Sequence, residues 1–181
     1  MSSILNVDTV RNLSNNITLT TSGSVVGFHQ VFSTGYVNFA AAVTGDGLEV
    51  YPLRLSITPK NANNILIMEW MLGGESHHNV GFLIHRDGSL ITTAGEQAYN
   101  NDAGNVRYST VGVGWYDANS DTTPSNNRLT YQCVAGSTAT RTYAPAVRST
   151  YGTAVAYRMN RYYTTADEFN TSYGFIMEIA V

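Results

Sequence analysis

Apolar side chains recur at every second position through most of this chain, and no other feature constrains its fold as much. In Arg128 to Val134, Leu129, Tyr131 and Cys133 fall on one side; in Ala154 to Tyr163, Val155, Tyr157, Met159 and Tyr163 do. Val106 to Trp115 puts Val111, Val113 and Trp115 opposite Tyr108, Thr110 and two glycines, and Tyr173 to Val181 groups Phe175, Met177, Ile179 and Val181. Successive strand residues point to opposite faces, so each pattern predicts a strand with one buried face. Trp115, Phe175, Met177 and Ile179 are the expected core residues. Shorter runs add strands over Tyr36 to Val43, Leu48 to Ile57, Ile65 to Leu72 and Val80 to His85. Between Val50 and Leu53 the apolar parity slips across Pro52, which predicts a bulge or an edge position.

Thr, Asn and Ser supply 53 of the 181 residues, with 12 Tyr beside them. Thr and Tyr favour strands, Asn and Ser favour turns, and the three short polar types disfavour helix interiors. Turn chemistry falls between the runs: Thr44-Gly-Asp-Gly47, Pro59-Lys-Asn-Ala-Asn-Asn64, Asn100-Asn-Asp-Ala-Gly104 and Thr164-Thr-Ala-Asp-Glu168. Asp87-Gly88, between Phe82-Leu-Ile-His-Arg86 and Leu90-Ile91, is a two-residue hairpin signal. Eight or more strands without an amphipathic helix predict an all-β fold, an antiparallel β-sandwich with a jelly-roll-like head. A chain of this length suits one domain able to bury its own core. Residues 1–27 differ: short β-prone pieces with too few apolar side chains for a core read as an extended N-terminal arm, leaving 28–181 as the head.

Several functions are disfavoured by what the chain carries. A formal net charge of −3 and a single lysine, Lys60, provide no field to gather phosphates, so nucleic acid is not an expected partner. The longest apolar run, Ile65 to Leu72, is broken by Glu69 and falls far short of the roughly 20 residues of a membrane helix, so no membrane insertion is expected. The opening Met1-Ser-Ser-Ile-Leu-Asn-Val-Asp8 lacks the features of a secretory signal. A lone Cys133 forbids an intrachain disulfide and a thiolate zinc cluster, and it reads as a small buried strand residue.

Candidates for chemistry are thin. Glu69, on the strand face of Ile67 and Met71, and Glu178, opposite Phe175 and Met177, are the carboxylates that could form a hydrolytic pair, and solvated strand faces account for both. His77-His78 and His85 could offer imidazoles to a metal, yet adjacent residues on an extended chain point apart, so a solvated turn is expected. Asp117-Ala-Asn-Ser-Asp121 begins like a calcium loop but has Thr122 where the turn glycine belongs and Arg128 where the bidentate Glu belongs. No cofactor, metal site or catalytic residue is expected. The formal glycosylation sequons at Asn12, Asn16 and Asn170 are read as accidents of composition.

Surface contacts remain. Asp117, Asn119, Asp121, Asn126 and Asn127 make a polar loop suited to surface contact. Arg141, Tyr143, Tyr157, Arg158, Arg161 and Tyr162 are read as a subunit interface or a ligand surface, since Arg and Tyr are enriched in both. In the arm, Ile4, Leu5, Val7, Val10 and Leu13 are the anchoring candidates.

Ser3-Ile-Leu-Asn-Val-Asp-Thr-Val-Arg-Asn-Leu-Ser14, Leu53-Arg-Leu-Ser-Ile-Thr-Pro-Lys-Asn-Ala-Asn-Asn-Ile-Leu-Ile67, Phe82-Leu-Ile-His-Arg-Asp-Gly88 and Tyr173-Gly-Phe-Ile-Met-Glu-Ile179 resemble small virion structural proteins of marine bacteriophages, especially cyanophages, often labelled tail-fibre-like. The resemblance implies a trimeric jelly-roll head, similar in layout to complement-type and tumour-necrosis-factor-type heads, joined by its arm to the particle. It implies a non-enzymatic virion surface protein. Its partners would be its own copies, other virion proteins of the tail or the major capsid, and a host surface glycan or receptor. A capsid decoration or cement protein is the nearest alternative, followed by a carbohydrate-binding or glycan-cleaving tailspike module. Assembly in the host cytoplasm needs neither signal peptide nor disulfides.

Overall fold

A computed structural model describes residues 23–42, 46–76, 78, 80–91, 112–113, 124–149, 154–161 and 169–181. They form the strands β1 (Val25–Ser33), β2 (Val37–Ala42), β3 (Leu48–Glu49), β4 (Leu55–Ile57), β5 (Ile65–Ser76), β6 (Val80–Arg86), β7 (Ser89–Leu90), β8 (Gly112–Val113), β9 (Ser125–Val134), β10 (Arg141–Ser149), β11 (Val155–Met159) and β12 (Ser172–Ile179), with no α-helix among the described residues. All pairings are antiparallel, and the expected all-β sandwich is what the chain forms.

β5 organises the first sheet. One of its edges pairs with β9 from Ile65 to Gly74; the other pairs with β12 from Ile65 to Met71 and then with β11 from Gly74 to Ser76. β12 continues to β1, and β11 to β2. In the second sheet β10 lies between β6 and the short strands β3 and β4, while β7 and β8 follow β6.

Two strands sharing one edge of β5 leave a gap at Gly73, which polar side chains close. The Gly73 amide donates to Ser172 Oγ at 2.9 Å, and the Gly73 carbonyl accepts from the Asn160 amide at 2.8 Å. The Ser172 hydroxyl donates to Asn160 Oδ1 at 2.6 Å, while Asn160 Nδ2 donates to the carbonyls of Ser33, at 2.7 Å, and Gly35, at 3.0 Å. Asn160 holds φ +60, which Asn tolerates better than most residues. The Gly73 amide and carbonyl and the Asn160 amide thus all have partners, which avoids the cost of orphaned backbone groups at the gap.

The hydrophobic core lies between the sheets. Leu66, Met68, Trp70 and Leu72 of β5 and Leu129, Tyr131 and Cys133 of β9 meet Phe82 and Ile84 of β6 and Tyr143 and Val147 of β10. Tyr157 of β11 sets its ring edge-on to Phe82 across the layers, centroids 5.7 Å apart. The faces expected for β9 and β11 are therefore the buried ones, and Cys133 is a buried strand residue. The Asp87-Gly88 hairpin forms between β6 and β7; both turn residues have positive φ, 54 and 80, as a type I′ turn requires.

Other expectations change. The parity slip at Pro52 reflects neither a bulge nor a strand edge: Tyr51–Leu53 is one 3-10 turn, closed by the Leu53 amide on the Val50 carbonyl at 2.9 Å. Its rotation returns Leu53 to the core beside Val50. β1 starts at Val25, so Val25 to Gly27, counted with the arm, pair here with β12; residues 1–22 lie outside the described set. Of Val106 to Trp115 only β8 is described as strand, and Trp115 lies outside the described residues.

The largest correction concerns β12. Ser172, Gly174, Ile176 and Glu178 face inward, whereas Phe175, Met177 and Ile179, expected in the core, face outward and are half-buried. Trp70 is the reason. Its indole lies across β12 and donates to the Leu53 carbonyl at 3.0 Å, and a Cβ at Gly174 would overlap it. The inward face of β12 must be small where the tryptophan crosses it.

Candidate interaction surface

Reversing β12 assembles an apolar surface on the outside of the molecule. The registers of β9, β5, β12 and β1 align outward side chains in four rows: Val134, Ile65, Ile179, Val25; Gln132, Ile67, Met177, Phe28; Thr130, Glu69, Phe175, Gln30; and Arg128, Met71, Tyr173, Phe32. Directly opposed antiparallel residues share a face, so these are neighbours in contact. Phe28 stacks on Phe175 with centroids 5.9 Å apart, and Phe32 tilts against Tyr173 at 6.1 Å. Val25, Phe28, Phe32 and Val134 remain 52 to 64% exposed.

On β9, Gln132, Thr130 and Arg128 form a polar border along one side, with Val134 at its end. Arg128 donates to the Glu69 carboxylate at 2.6 Å, and that hydrogen bond and negative charge hold the guanidinium above its ordinary pKa. Beyond this pair the sixteen positions carry no charge. Apolar residues in adjoining rows form a contiguous patch, which singly scattered surface hydrophobics do not.

Sequence reasoning placed its interface elsewhere. Tyr143 and Tyr157 are not surface residues: they are 0 and 1% exposed and belong to the core. Tyr143 sits in β10, a central strand whose Arg and Tyr content read as surface; burial pushes its hydroxyl pKa up, as does Cys133, whose Sγ lies 3.8 Å away. Arg141 pairs with Asp87 at 2.8 Å in the second sheet. Arg158 lies on β11, in register with Glu75 and Asn38, and Arg161 covers the Tyr36 ring at 4.8 Å. The three arginines do not form one patch, because Arg141 is in the other sheet. Tyr162 lies outside the described residues.

Asn126 and Asn127 are strand residues of β9, paired with Gly73 and Leu72, where a loop was expected. Asn126 Oδ1 accepts from Asn170 Nδ2 at 2.7 Å. Asp117, Asn119 and Asp121, and the arm residues Ile4, Leu5, Val7, Val10 and Leu13, lie outside the described residues.

The two carboxylates do not form a pair. Glu69 faces outward; Glu178 is buried, accepting from the Lys60 amide at 2.7 Å, the Asn61 amide at 3.3 Å and Asn64 Nδ2 at 2.6 Å. It is no solvated strand residue, and it anchors the turn between β4 and β5. His85 is buried as well: Nε2 donates to the Asp46 carbonyl at 2.8 Å and Nδ1 lies 3.8 Å from Glu49, whose carboxylate also pairs with Arg54. His77 lies outside the described residues, among which no group of three or more His, Cys, Asp or Glu is placed to hold a metal ion.

The outward face was missed because alternation identifies two faces of a strand without saying which turns inward. The fully apolar set Phe175, Met177, Ile179 and the mixed set Gly174, Ile176, Glu178 both fit period two. The deciding pair, Gly174 opposite Trp70, exists only once the two strands are in register. Neither a protein-family model nor a curated protein matches this sequence.

Proposed function

We propose that this chain is a non-enzymatic structural protein of a virion surface, a homotrimer of fibre or knob type. Its N-terminal arm attaches it to the particle, and its loops are presented to the host surface. The observation that carries this reading is the apolar outward face of the first sheet. A sandwich with a closed core of its own has no folding need for Phe28, Phe32, Phe175 and Met177 on its outside, and such surfaces mark assembly. The opposed directions of Glu69 and Glu178 lend no support to a glycan-cleaving module.

Imaging virions labelled through this protein tests the reading. Label at the tail is expected for the fibre type, label over the icosahedral faces would select the cement role, and label absent from purified particles would overturn the virion assignment.

A further inference from the structure

We propose that the outward face of β1, β12 and β5 packs against the same face of a second copy of this chain, with Glu69 and Arg128 at the border of the contact. This rests on the assembly reading above and identifies the subunit contact within it.

Size is the first argument. Val25, Phe28 and Phe32 of β1 are 55, 52 and 64% exposed, and the half-buried Phe175, Met177, Ile179, Ile65, Ile67 and Met71 continue the apolar surface across β12 and β5, a contiguous patch of the kind that marks an interaction site.

Charge is the second. The one acid and one base on this face satisfy each other at 2.6 Å, so it is neutral. A nucleic acid, an acidic or basic protein, or an anionic lipid surface would find no complementary field. A neutral apolar patch is complementary to its own copy. Arg128 is 65% exposed at the border while Glu69 is 15% exposed, so the guanidinium can turn to a neighbour's Glu69 without leaving a buried charge unpaired.

Light scattering of the purified full chain at micromolar concentration tests the proposal. A mass above that of one chain is expected; a mass of one chain overturns it. Phe28→Glu and Phe32→Glu alter half-exposed side chains, so each variant should keep its far-ultraviolet spectrum while its mass falls to one chain; a folded variant that keeps the mass of the unsubstituted protein removes the contact from this face. In the unsubstituted protein, peroxide oxidation of Met71 and Met177 should be several-fold slower at micromolar than at nanomolar concentration, and equal rates overturn the proposal even if both variants fail to fold. These measurements use purified protein, so their failure is separable from absence of the label on virions.

Discussion

The Asn64 side-chain amide donates to the Glu178 carboxylate at 2.6 Å, joining residues 114 positions apart at the floor of the sandwich. With the Lys60 and Asn61 amides on the same oxygen, the contact holds the Pro59 to Asn64 turn onto the last strand. Glu178→Ala leaves these donors without an acceptor and should cost about 3 kcal/mol, since hydrogen bonds to a buried charge are among the stronger ones. Urea denaturation should show a lower midpoint with an unchanged slope; a midpoint like that of the unsubstituted protein would mean that the carboxylate is not structural.

The two faces of β12 differ in what truncation does. Ile176→Ala empties a fully buried site and should cost about 2 to 5 kcal/mol, whereas Phe175→Ala on the outward face should destabilise an isolated subunit by less. Gly174→Ala forces the Trp70 indole to move and should cost about 1 to 3 kcal/mol. Melting temperatures at concentrations where the chain is monomeric give the order, and a larger loss at Phe175 than at Ile176 would reverse the face assignment.

Alkaline stability follows from two buried tyrosines. Burial pushes the hydroxyl pKa of Tyr143 and of Tyr157 above its ordinary value. In the unfolded chain they ionise near pH 10, while the folded state retains both protons, so stability is complete below about pH 10 and is lost as pH rises above it. Phenolate absorbance should show these two of the twelve tyrosines titrating only together with unfolding; reversible titration of all twelve in the folded protein would contradict their burial.

Asp87 gives the opposite dependence. Burial raises its carboxyl pKa, but the Thr142 amide and the Arg141 guanidinium outweigh that and hold it below the usual carboxylate value. Its contribution is present above about pH 4 and fades as pH falls further. Asp87→Asn keeps an Asn-Gly turn suited to positive φ and should flatten that part of the acid profile, losing at pH 7 the same small amount that the carboxylate contributes there, whereas Asp87→Ala should cost about 1 kcal/mol more at pH 7 through the strained turn. Acid melting curves of Asp87→Asn that match the unsubstituted protein would refute the assignment.

Local chemistry determined a good deal without tertiary help. Alternating Leu129, Tyr131, Cys133 and Val155, Tyr157, Met159 specified two strands and their buried faces, because the opposite sets, Arg128, Thr130, Gln132 and Ala156, Arg158, are too polar or too small to compete for the core. Asp87-Gly88 specified its hairpin because positive φ at two successive residues is a property of the turn itself. Packing between the sheets decided the rest. On β12 both faces carry apolar side chains, and only Trp70 arriving from the neighbouring strand makes Gly174 the residue that must face inward and Phe175 the one that must not. The same layering buried Tyr143 between sheets and gave Glu178 three donors from a turn more than a hundred residues away. Period two determines that a strand has two sides; which side meets the core depends on what the opposing side chains leave room for.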